Sequence, residues 1–402
     1  MNDLHEILKN EKSDEKSPNL IDLPEGVPYL NTFYLYITDG CNLNCRHCWI
    51  TPRFINGKPS PGECLDLNLL KIAVKEGKTL GLSQAKLTGG EPVLHPRFLN
   101  IVDFLSGENI TLTMETNGTL ITDEMAKHLK KNTTLWFVST SLDSPNAENH
   151  DRFRGVPGAF NAAIRGTEYL VNAGYRPQII MSPHRGNIHE IEDVVKLAVE
   201  LGAGSVKFNP ITPTGRGKIM EKKGETLDFN ETMNLVRFVR GELQAKYKIR
   251  LIISTPPALS TIKELIKGKN MGGTCHVLNI LGILGSGDMA LCGIGRNIPE
   301  LCFGNLEKDD LREIWISHPT LNQLRQDLNE KYPGICGECI HARRCLTHCV
   351  AMNYEQYGKL VHPNFLCEEA EERGIFPETR RRSFPKNSYK NERNNKISTI
   401  YK

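Results

Sequence analysis

The sequence predicts an α/β protein, namely an open, partial barrel of six β/α units with parallel strands, followed by a small cysteine-rich domain. Short apolar runs alternate with longer amphipathic runs through the first half of the chain. Polar motifs follow directly after several of the apolar runs, and eight of the twelve cysteines lie beyond residue 272. This alternation is typical of parallel strands joined by crossover helices.

The elements can be assigned in chain order. The apolar runs predicted to be strands are 32–37, 84–87, 110–114, 135–140, 178–182 and 205–211. The runs predicted to be helices are 65–80, 98–105, 123–130, 160–173 and 188–201. Six units do not close an eight-stranded barrel, so we expect an open barrel whose functional residues lie at the carboxyl ends of the strands.

Composition changes divide the chain into five regions. They are an N-terminal extension (1–29), the barrel (30–225), a bridging helical region (226–271) that begins with a charged helical pattern at 230–248, the cysteine-rich domain (272–375) and a tail (376–402). The tail carries eight Lys or Arg against two Asp or Glu. Because it has few apolar residues, we expect it to be disordered and solvated.

The bulk composition excludes several classes of protein. Hydrophobic residues make up 39% of the chain, and the mean hydropathy is −0.37. The sequence has neither a signal peptide nor an apolar run long enough to span a membrane, so we expect a cytoplasmic protein without a membrane partner. The formal net charge of +3 does not favour nucleic acid as a partner. Cysteines in a reducing compartment indicate metal binding rather than disulfides.

The loop after the first predicted strand contains three cysteines at C-x3-C-x2-C spacing, Cys41, Cys45 and Cys48. Three thiolates in eight residues can bind one metal centre. A closed zinc site or an ordinary four-iron cluster takes four protein ligands, so a three-thiol site leaves one metal position open for chemistry. Half of a zinc ribbon and a redox-active loop are the alternatives.

This spacing at the end of the first strand resembles the radical S-adenosylmethionine (radical SAM) superfamily. The resemblance implies a [4Fe-4S] cluster on the three cysteines, with SAM chelating the fourth iron. It also implies reductive cleavage of SAM to a 5′-deoxyadenosyl radical, which abstracts hydrogen from the substrate. A flavodoxin- or ferredoxin-type protein would supply the electron.

The polar motifs at the other strand ends extend this resemblance. One matches the family's GGEP segment, which binds the amino group of SAM, and others match strand-end positions near the methionyl and ribose groups. Arg154 resembles the arginine that reaches the SAM carboxylate, and His47 occupies a usually aromatic position that packs against adenine or covers the cluster. The implied SAM-binding residues are His47, Gly89, Gly90, Glu91, Thr116, Asn117, Ser141 and Arg154.

The C-terminal cysteines resemble the SPASM extension of radical SAM enzymes, which carries two auxiliary [4Fe-4S] clusters. Two zinc ions are the alternative from spacing alone. The resemblance assigns Cys336, Cys339, Cys345 and Cys367 to a distal cluster, and Cys275, Cys292 and Cys349 to a nearer one. Cys302 is the candidate fourth ligand of the nearer cluster; otherwise one iron is open to a substrate thiolate or another donor.

Cys64 belongs to neither group of cysteines. It is either a spare, partly buried thiol or a hydrogen-atom donor to a substrate radical, since an S–H bond is weak enough for that role.

The resemblance implies a peptide or small-protein substrate, which would receive a thioether or carbon–carbon cross-link or be epimerised. Many such enzymes have a leader-binding module before the barrel, and 29 residues are too few for one. Either a separate leader-binding protein or other surfaces would then recognise the leader, or the substrate is not a leader-bearing peptide. The alternatives are tetrapyrrole side-chain modification, as in haem synthesis, formylglycine-type protein oxidation, and a non-catalytic zinc-binding interaction protein.

Overall fold

The protein is an α/β structure organised around one ten-stranded sheet. The computed structural model describes residues 20–50, 60, 62–266, 276–293 and 297–382. The strands are β1 (Thr32–Tyr36), β2 (Gln84–Thr88), β3 (Thr111–Glu115), β4 (Leu135–Ser141), β5 (Gln178–Met181), β6 (Ser205–Phe208), β7 (Arg250–Ile253), β8 (Ile280–Leu284), β9 (Asp288–Ala290) and β10 (Cys302–Asn305). Their order is β10-β9-β8-β1-β2-β3-β4-β5-β6-β7.

Helices connect the strands and build the C-terminal region. They are α1 (Leu67–Thr79), α2 (Phe98–Gly107), α3 (Asp123–Asn132), α4 (Ala147–Arg154), α5 (Ala159–Asn172), α6 (Ile191–Glu200), α7 (Gly217–Lys222), α8 (Phe229–Phe238), α9 (Gln244–Lys246), α10 (Ile262–Ile266), α11 (Leu311–Ser317), α12 (Pro319–Glu330), α13 (Gly334–Glu338), α14 (Ala342–Cys345), α15 (Val350–Tyr357) and α16 (Phe365–Glu372). A π-helical turn, Val239–Leu243, joins α8 to α9. No helix among the described residues is both long enough and apolar enough to cross a lipid bilayer.

The six predicted parallel strands are confirmed as β1 to β6, paired in sequence order. Alternate residues of β1, such as Phe33 and Leu35, are fully buried, as the period of a strand requires. Local capping explains where helices begin: the Asp66 carboxylate accepts from two amides of α1, and Asp228 and Glu231 form a capping box at α8.

Four strands were not indicated by the sequence. β7 pairs in parallel with β6 and extends one edge of the sheet. β8 pairs in parallel with β1 over five residues, and the antiparallel strands β9 and β10 continue the other edge. The cysteine-rich region therefore begins as a continuation of the barrel sheet.

The C-terminal helices share the main hydrophobic core with the barrel. Trp315 of α11 is fully buried, and its indole N–H donates to the Pro28 carbonyl oxygen at 2.9 Å. The backbone amide of Leu311 donates to the Glu76 carboxylate of α1 at 2.9 Å. A smaller core beside Phe229 contains Cys339 and Cys367. These contacts fix the C-terminal cysteines relative to the barrel.

Candidate functional site

The three-cysteine loop lies directly after β1. Cys41 and Cys45 are buried and Cys48 is half-buried, and the three pack together against Leu43 and Ala159. Among the described residues, no three His, Cys, Asp or Glu side chains are arranged to hold a single metal ion. A four-iron cluster separates its cysteine ligands more widely than one ion does, so three thiols that bind a cluster need not converge on a single point.

Hydrogen-bond donors surround two of these sulfurs. The Leu43 amide and the Asn117 side-chain amide lie 3.4 and 3.8 Å from Cys41 Sγ, and Arg154 Nη1 lies 3.6 Å from Cys45 Sγ. Burial raises the pKa of both thiols in the protein alone, and Arg154 opposes that rise at Cys45. Donors directed at sulfur stabilise the charge of cluster thiolates. The residues present fit an iron–sulfur cluster.

The carboxyl end of α4 holds one side of the loop. The amides of Asn44 and Arg46 donate to the carbonyl oxygens of Arg154 and Phe153 at 2.9 and 3.0 Å. Gly155, which ends the helix with φ of 75°, packs so closely that an added Cβ would lie 2.5 Å from the Asn44 oxygen. The sequence did not indicate α4. This helix nevertheless fixes the path of the cysteine loop.

The segment after β6 holds the other side of the loop. Arg216 donates from its backbone amide to the Cys48 carbonyl oxygen and from Nη1 to the Cys45 carbonyl oxygen, each at 3.0 Å. Arg46 pairs with Glu225 of the same segment at 2.7 Å. The cysteine loop is therefore held between the carboxyl end of α4 and the segment that follows β6.

The glycines of the Gly-Gly-Glu-Pro turn allow β2 to approach this loop. The amides of Gly90 and Glu91 donate to the carbonyl oxygens of Thr38 and Gly40 at 2.9 and 2.8 Å. A Cβ on Gly90 would lie 1.8 Å from the Gly40 oxygen, and one on Gly89 would lie 2.4 Å from the Thr38 oxygen. Both positions therefore require glycine because of backbone contact.

The Glu91 carboxylate is completely buried and joins β2 to β3. It accepts hydrogen bonds from the Thr116 hydroxyl at 2.6 Å, the Asn117 backbone amide at 2.7 Å and the Val93 backbone amide at 3.2 Å. Burial raises its pKa to about 7, although these donors act in the opposite direction. Glu91 therefore fixes the carboxyl ends of β2 and β3 to each other. We call the carboxyl ends of β1 to β6, together with the cysteine loop, the rim.

Asn117 connects the β3 rim to the cysteine loop. Its Nδ2 donates to Asn42 Oδ1 at 2.8 Å, and its Oδ1 accepts from the Thr119 hydroxyl at 2.6 Å. Ser141, the last residue of β4, is half-buried at the same edge of the sheet. The expected SAM contacts of β3 and β4 therefore lie on the rim that carries the cysteines.

Arg154 is held by a buried ion pair that the sequence did not assign. Its Nε donates to Asp143 Oδ2 at 2.5 Å, and both side chains are almost fully buried. Asp143 also accepts from the Ser182 amide at 2.8 Å. Burial alone would raise the pKa of Asp143, but the charge of Arg154 holds it below its ordinary value. With Nε held by this pair, Arg154 Nη1 lies 3.6 Å from Cys45 Sγ.

His47 lies in a stack of three rings. It is parallel to Phe153 at 4.7 Å between centroids, and Phe153 stacks on His184 at 4.6 Å. Burial and the charge of Arg154 lower the His47 pKa to about 3, so the imidazole is neutral. Its buried Nδ1 has no hydrogen-bond partner among the described residues. This buried ring nitrogen beside the cysteine loop could form a hydrogen bond with a polar group of a ligand.

Cys64 lies beside the carboxyl end of β1. It forms an isolated bridge with Thr38, and its sulfur lies 3.8 Å from the Thr38 hydroxyl. The thiol is half-buried, and burial raises its pKa. Cys64 therefore shares the functional rim, and its role stays a prediction.

The four cysteines assigned to the distal cluster lie together. Cys336, Cys339, Cys345 and Cys367 are all buried. Burial raises the pKa of Cys336 and of Cys345 to about 12, and the nearby cysteines add to the rise. The His341 amide donates to Cys339 Sγ at 3.4 Å. This set of converging thiols also fits an iron–sulfur cluster.

The cysteines assigned to the nearer cluster are described in part, because Cys275 lies outside the described residues. Cys292 and Cys349 pack against the main core. Gly282 of β8 lets the Cys292 backbone approach, since a Cβ there would lie 2.9 Å from Cys292 Cα. Cys302 begins β10, and burial and Asp288 raise its pKa to about 11. Whether Cys302 is a ligand stays a prediction.

Sequence reasoning missed three groups of this site. Asp143 was visible in the Ser-Leu-Asp turn after β4, and Arg216 in the Thr-Gly-Arg-Gly segment after β6, but neither had an assigned role. The pairing of Phe153 with His184 had no local signal, because the two rings lie on separate elements. Strand-end position was the signal that could have found Asp143 and Arg216.

Comparison with known proteins follows the same division of the chain. A profile of the Radical SAM superfamily matches residues 35–198, and one of an iron-sulfur cluster-binding domain, SPASM, matches residues 275–340. An AdoMet-dependent heme synthase of Methanosarcina barkeri (strain Fusaro / DSM 804) is 29% identical over 343 residues, or 82% of this chain and 94% of the relative. Mycofactocin maturase MftC of Mycobacterium tuberculosis (strain ATCC 25618 / H37Rv) is 27% identical over 321 residues, 79% of this chain and 78% of the relative.

The fold is shared with a solved structure. Streptococcus suis SuiB bound to S-adenosylmethionine superimposes with a TM-score of 0.66 at 17% identity, covering 85% of this chain and 78% of SuiB. The two profile matches coincide with the two groups of cysteines described above, and they favour iron–sulfur binding over zinc. The chain therefore belongs to the radical SAM superfamily, carries a SPASM domain, and is an enzyme that binds iron–sulfur clusters and S-adenosylmethionine.

Proposed function

We propose that this enzyme cleaves SAM reductively at the three-cysteine loop and abstracts a hydrogen atom from a peptide substrate. The observation that carries the proposal is the loop itself, where three clustered thiols lie among donors from Asn117 and Arg154. The cluster, when bound, supplies the electron that splits SAM into methionine and the 5′-deoxyadenosyl radical.

The strand-end rim would bind SAM. Gly89 and Gly90 leave backbone room beside the cysteine loop, and Glu91 holds Thr116 and Asn117 in place from below. The charge of Arg154 suits the SAM carboxylate. The neutral His47 ring and Ser141 would contact the adenosyl group, with the unpartnered His47 Nδ1 available to an adenine N–H.

We propose three [4Fe-4S] clusters in all. Cys41, Cys45 and Cys48 would hold the cluster that binds SAM. The distal auxiliary cluster would use Cys336, Cys339, Cys345 and Cys367, and the nearer one Cys275, Cys292, Cys349 and Cys302. The auxiliary clusters would accept the electron left on the product or bind substrate. A flavodoxin- or ferredoxin-type protein would reduce the first cluster, and a separate protein would bind any leader sequence.

The relatives support two substrate classes. MftC, 27% identical, is named a mycofactocin maturase, and we take this relative as support for a peptide substrate. The heme synthase is 29% identical, and the match covers 94% of its length. This relative favours a tetrapyrrole side chain as a second candidate substrate. Both classes need a carbon-centred radical at an unactivated C–H bond, so the same rim would serve either.

The test begins with anaerobic reconstitution and reduction. Iron and sulfide analysis should fit three clusters, and changing Cys41, Cys45 and Cys48 to Ala should abolish SAM cleavage. Zinc without iron, or SAM cleavage that survives these changes, would contradict the proposal.

The substrate is then identified by mass spectrometry in heavy water. The enzyme receives short peptides encoded beside its gene and, in parallel, a tetrapyrrole with propionate side chains. A peptide that loses two hydrogens indicates cross-linking, and one that gains a deuterium indicates epimerisation. Conversion of the tetrapyrrole alone would replace the peptide proposal with the second candidate.

A further inference from the structure

The outer side of the cysteine loop opens into a cleft of about 260 Å³. Loop residues 44–46 line one wall, and Arg216, Ile219, Met220 and Lys223 line the other. None of the residues expected to contact SAM lines it, so the cleft reaches the loop from a side other than the SAM-binding rim. Among these lining residues is Cys45, a ligand of the proposed radical-generating cluster.

The protein layer over Cys45 is thin at this cleft. Cys45 is 8% exposed, and the side chain that covers its backbone is Arg216, whose Nη1 donates to the Cys45 carbonyl oxygen. Electron transfer between proteins slows steeply as the distance between donor and acceptor grows. An external donor seated at this cleft would lie close to Cys45, which would be a ligand of the cluster.

The chain around the cleft is basic. Residues 216–223 carry four basic side chains and one acidic one. Lys218 is paired with Glu355, and Arg46 with Glu225. Lys222 and Lys223 point into solvent at the end of α7. The excess charge is therefore concentrated where a partner could reach it.

An apolar side chain lies in the middle of this charge. Ile219 is 55% exposed and lines the cleft between Arg216 and Lys223. A small apolar centre with a charged rim is typical of transient protein interfaces, and redox encounters lie at the small end of interface size. We call Arg46, Arg216, Ile219, Lys222 and Lys223 the basic face.

We propose that the basic face docks an acidic one-electron carrier protein, a flavodoxin, which reduces the cluster through the Cys45 side of the loop. This inference rests on the proposed function and names the surface that serves it. The flavin hydroquinone gives one electron and becomes the semiquinone, and the oxidised [4Fe-4S] cluster gains that electron. Opposite charges would steer the encounter and accelerate it by about 10- to 1000-fold at low salt.

The test compares two reductants on the reconstituted holoenzyme. The variant Lys222→Glu/Lys223→Glu changes the basic face. The control Lys131→Glu/Lys248→Glu makes the same charge change at exposed positions that precede the amino ends of β4 and β7, whereas the basic face follows the carboxyl end of β6. Stopped-flow absorbance follows cluster reduction by fully reduced flavodoxin and, separately, by dithionite. Zero-length cross-linking of flavodoxin carboxylates to lysines, mapped by mass spectrometry, gives a readout independent of turnover.

We expect the basic-face variant to slow reduction by flavodoxin about tenfold or more at low ionic strength, and the difference to shrink as salt screens the charges. Reduction by dithionite should keep its rate, the control should match the unaltered enzyme, and cross-links should fall on Lys222 or Lys223. An unchanged flavodoxin rate, an equal loss with dithionite, or cross-links elsewhere would overturn the docking proposal.

Two further outcomes separate other interpretations. A basic-face variant that reduces normally but binds a propionate-bearing tetrapyrrole more weakly would show that the face recognises an acidic substrate, which overturns the docking proposal. Absence of SAM cleavage by the unaltered enzyme with dithionite would refute the proposed function, whereas the cross-linking result would still decide whether flavodoxin docks here.

Discussion

The Asp143–Arg154 ion pair allows a sharp test, because the protein contains an exposed pair of equal length. Arg154 Nε to Asp143 Oδ2 and Lys127 Nζ to Asp123 Oδ2 both measure 2.5 Å. The side chains of the first pair are 8% and 1% exposed, and those of the second are 64% and 36% exposed. Distance is thus matched and burial differs.

We expect Asp143→Asn to lower the free energy of unfolding by about 3–5 kcal/mol, because it leaves the buried Arg154 charge without a counter-ion. Asp123→Asn removes a charge from a solvated pair and should have little effect. The amide in Asp143→Asn keeps the size and can still accept from the Ser182 amide, so the loss reports charge rather than packing.

The assay is anaerobic urea unfolding followed by tryptophan fluorescence for the unaltered enzyme and both variants. Iron content measured beforehand shows whether the variant still takes up iron when the guanidinium is no longer fixed. An Asp143→Asn variant as stable as Asp123→Asn would refute the argument that Arg154 depends on Asp143.

Three further predictions concern other parts of the site. In the Glu91→Gln variant the pH dependence of stability should flatten: the folded-state pKa of Glu91 is raised from 4.5 to about 7, so its contribution is fully present below pH 4.5 and is lost as pH rises through 7. Between pH 5 and 8 the difference between the unfolding free energies of the two proteins should change by about 2.5 kcal/mol, and parallel curves would contradict this. Cys302→Ala should lower iron content and alter the electron paramagnetic resonance of the reduced auxiliary clusters; an unchanged spectrum would remove Cys302 from the ligands. With Cys64→Ala, SAM cleavage should continue while epimerised product fails to form, and unchanged product formation would make Cys64 a spare thiol.

Local sequence pattern was sufficient for β1 to β6, because each strand is short, apolar and followed by a helix or a polar turn. It was not sufficient for β8. The run Ile280–Leu284 is apolar throughout, so periodicity alone does not distinguish a strand from a buried helix. Its partner β1 is far away in the chain, and that pairing has no local signal.

The site shows the same division between local and long-range information. The spacing of Cys41, Cys45 and Cys48 and the glycines of the β2 turn could be read directly, since both depend on neighbours in sequence. The pairing of Arg154 with Asp143, and of Arg216 with the loop carbonyls, depends on how separate strand ends meet. Which of the C-terminal cysteines would share a cluster likewise depends on how the C-terminal region folds.

The pairing of β1 with β8 has a consequence for dividing this enzyme into parts. β1 lies inside the sheet only because β8 covers one of its sides along five residues. Removing everything after residue 271 would expose the backbone N–H and C=O groups of a flat, apolar strand, which is a template for aggregation. A barrel shortened in this way is therefore expected to precipitate. The barrel and the cysteine-rich region should be expressed and engineered as one unit.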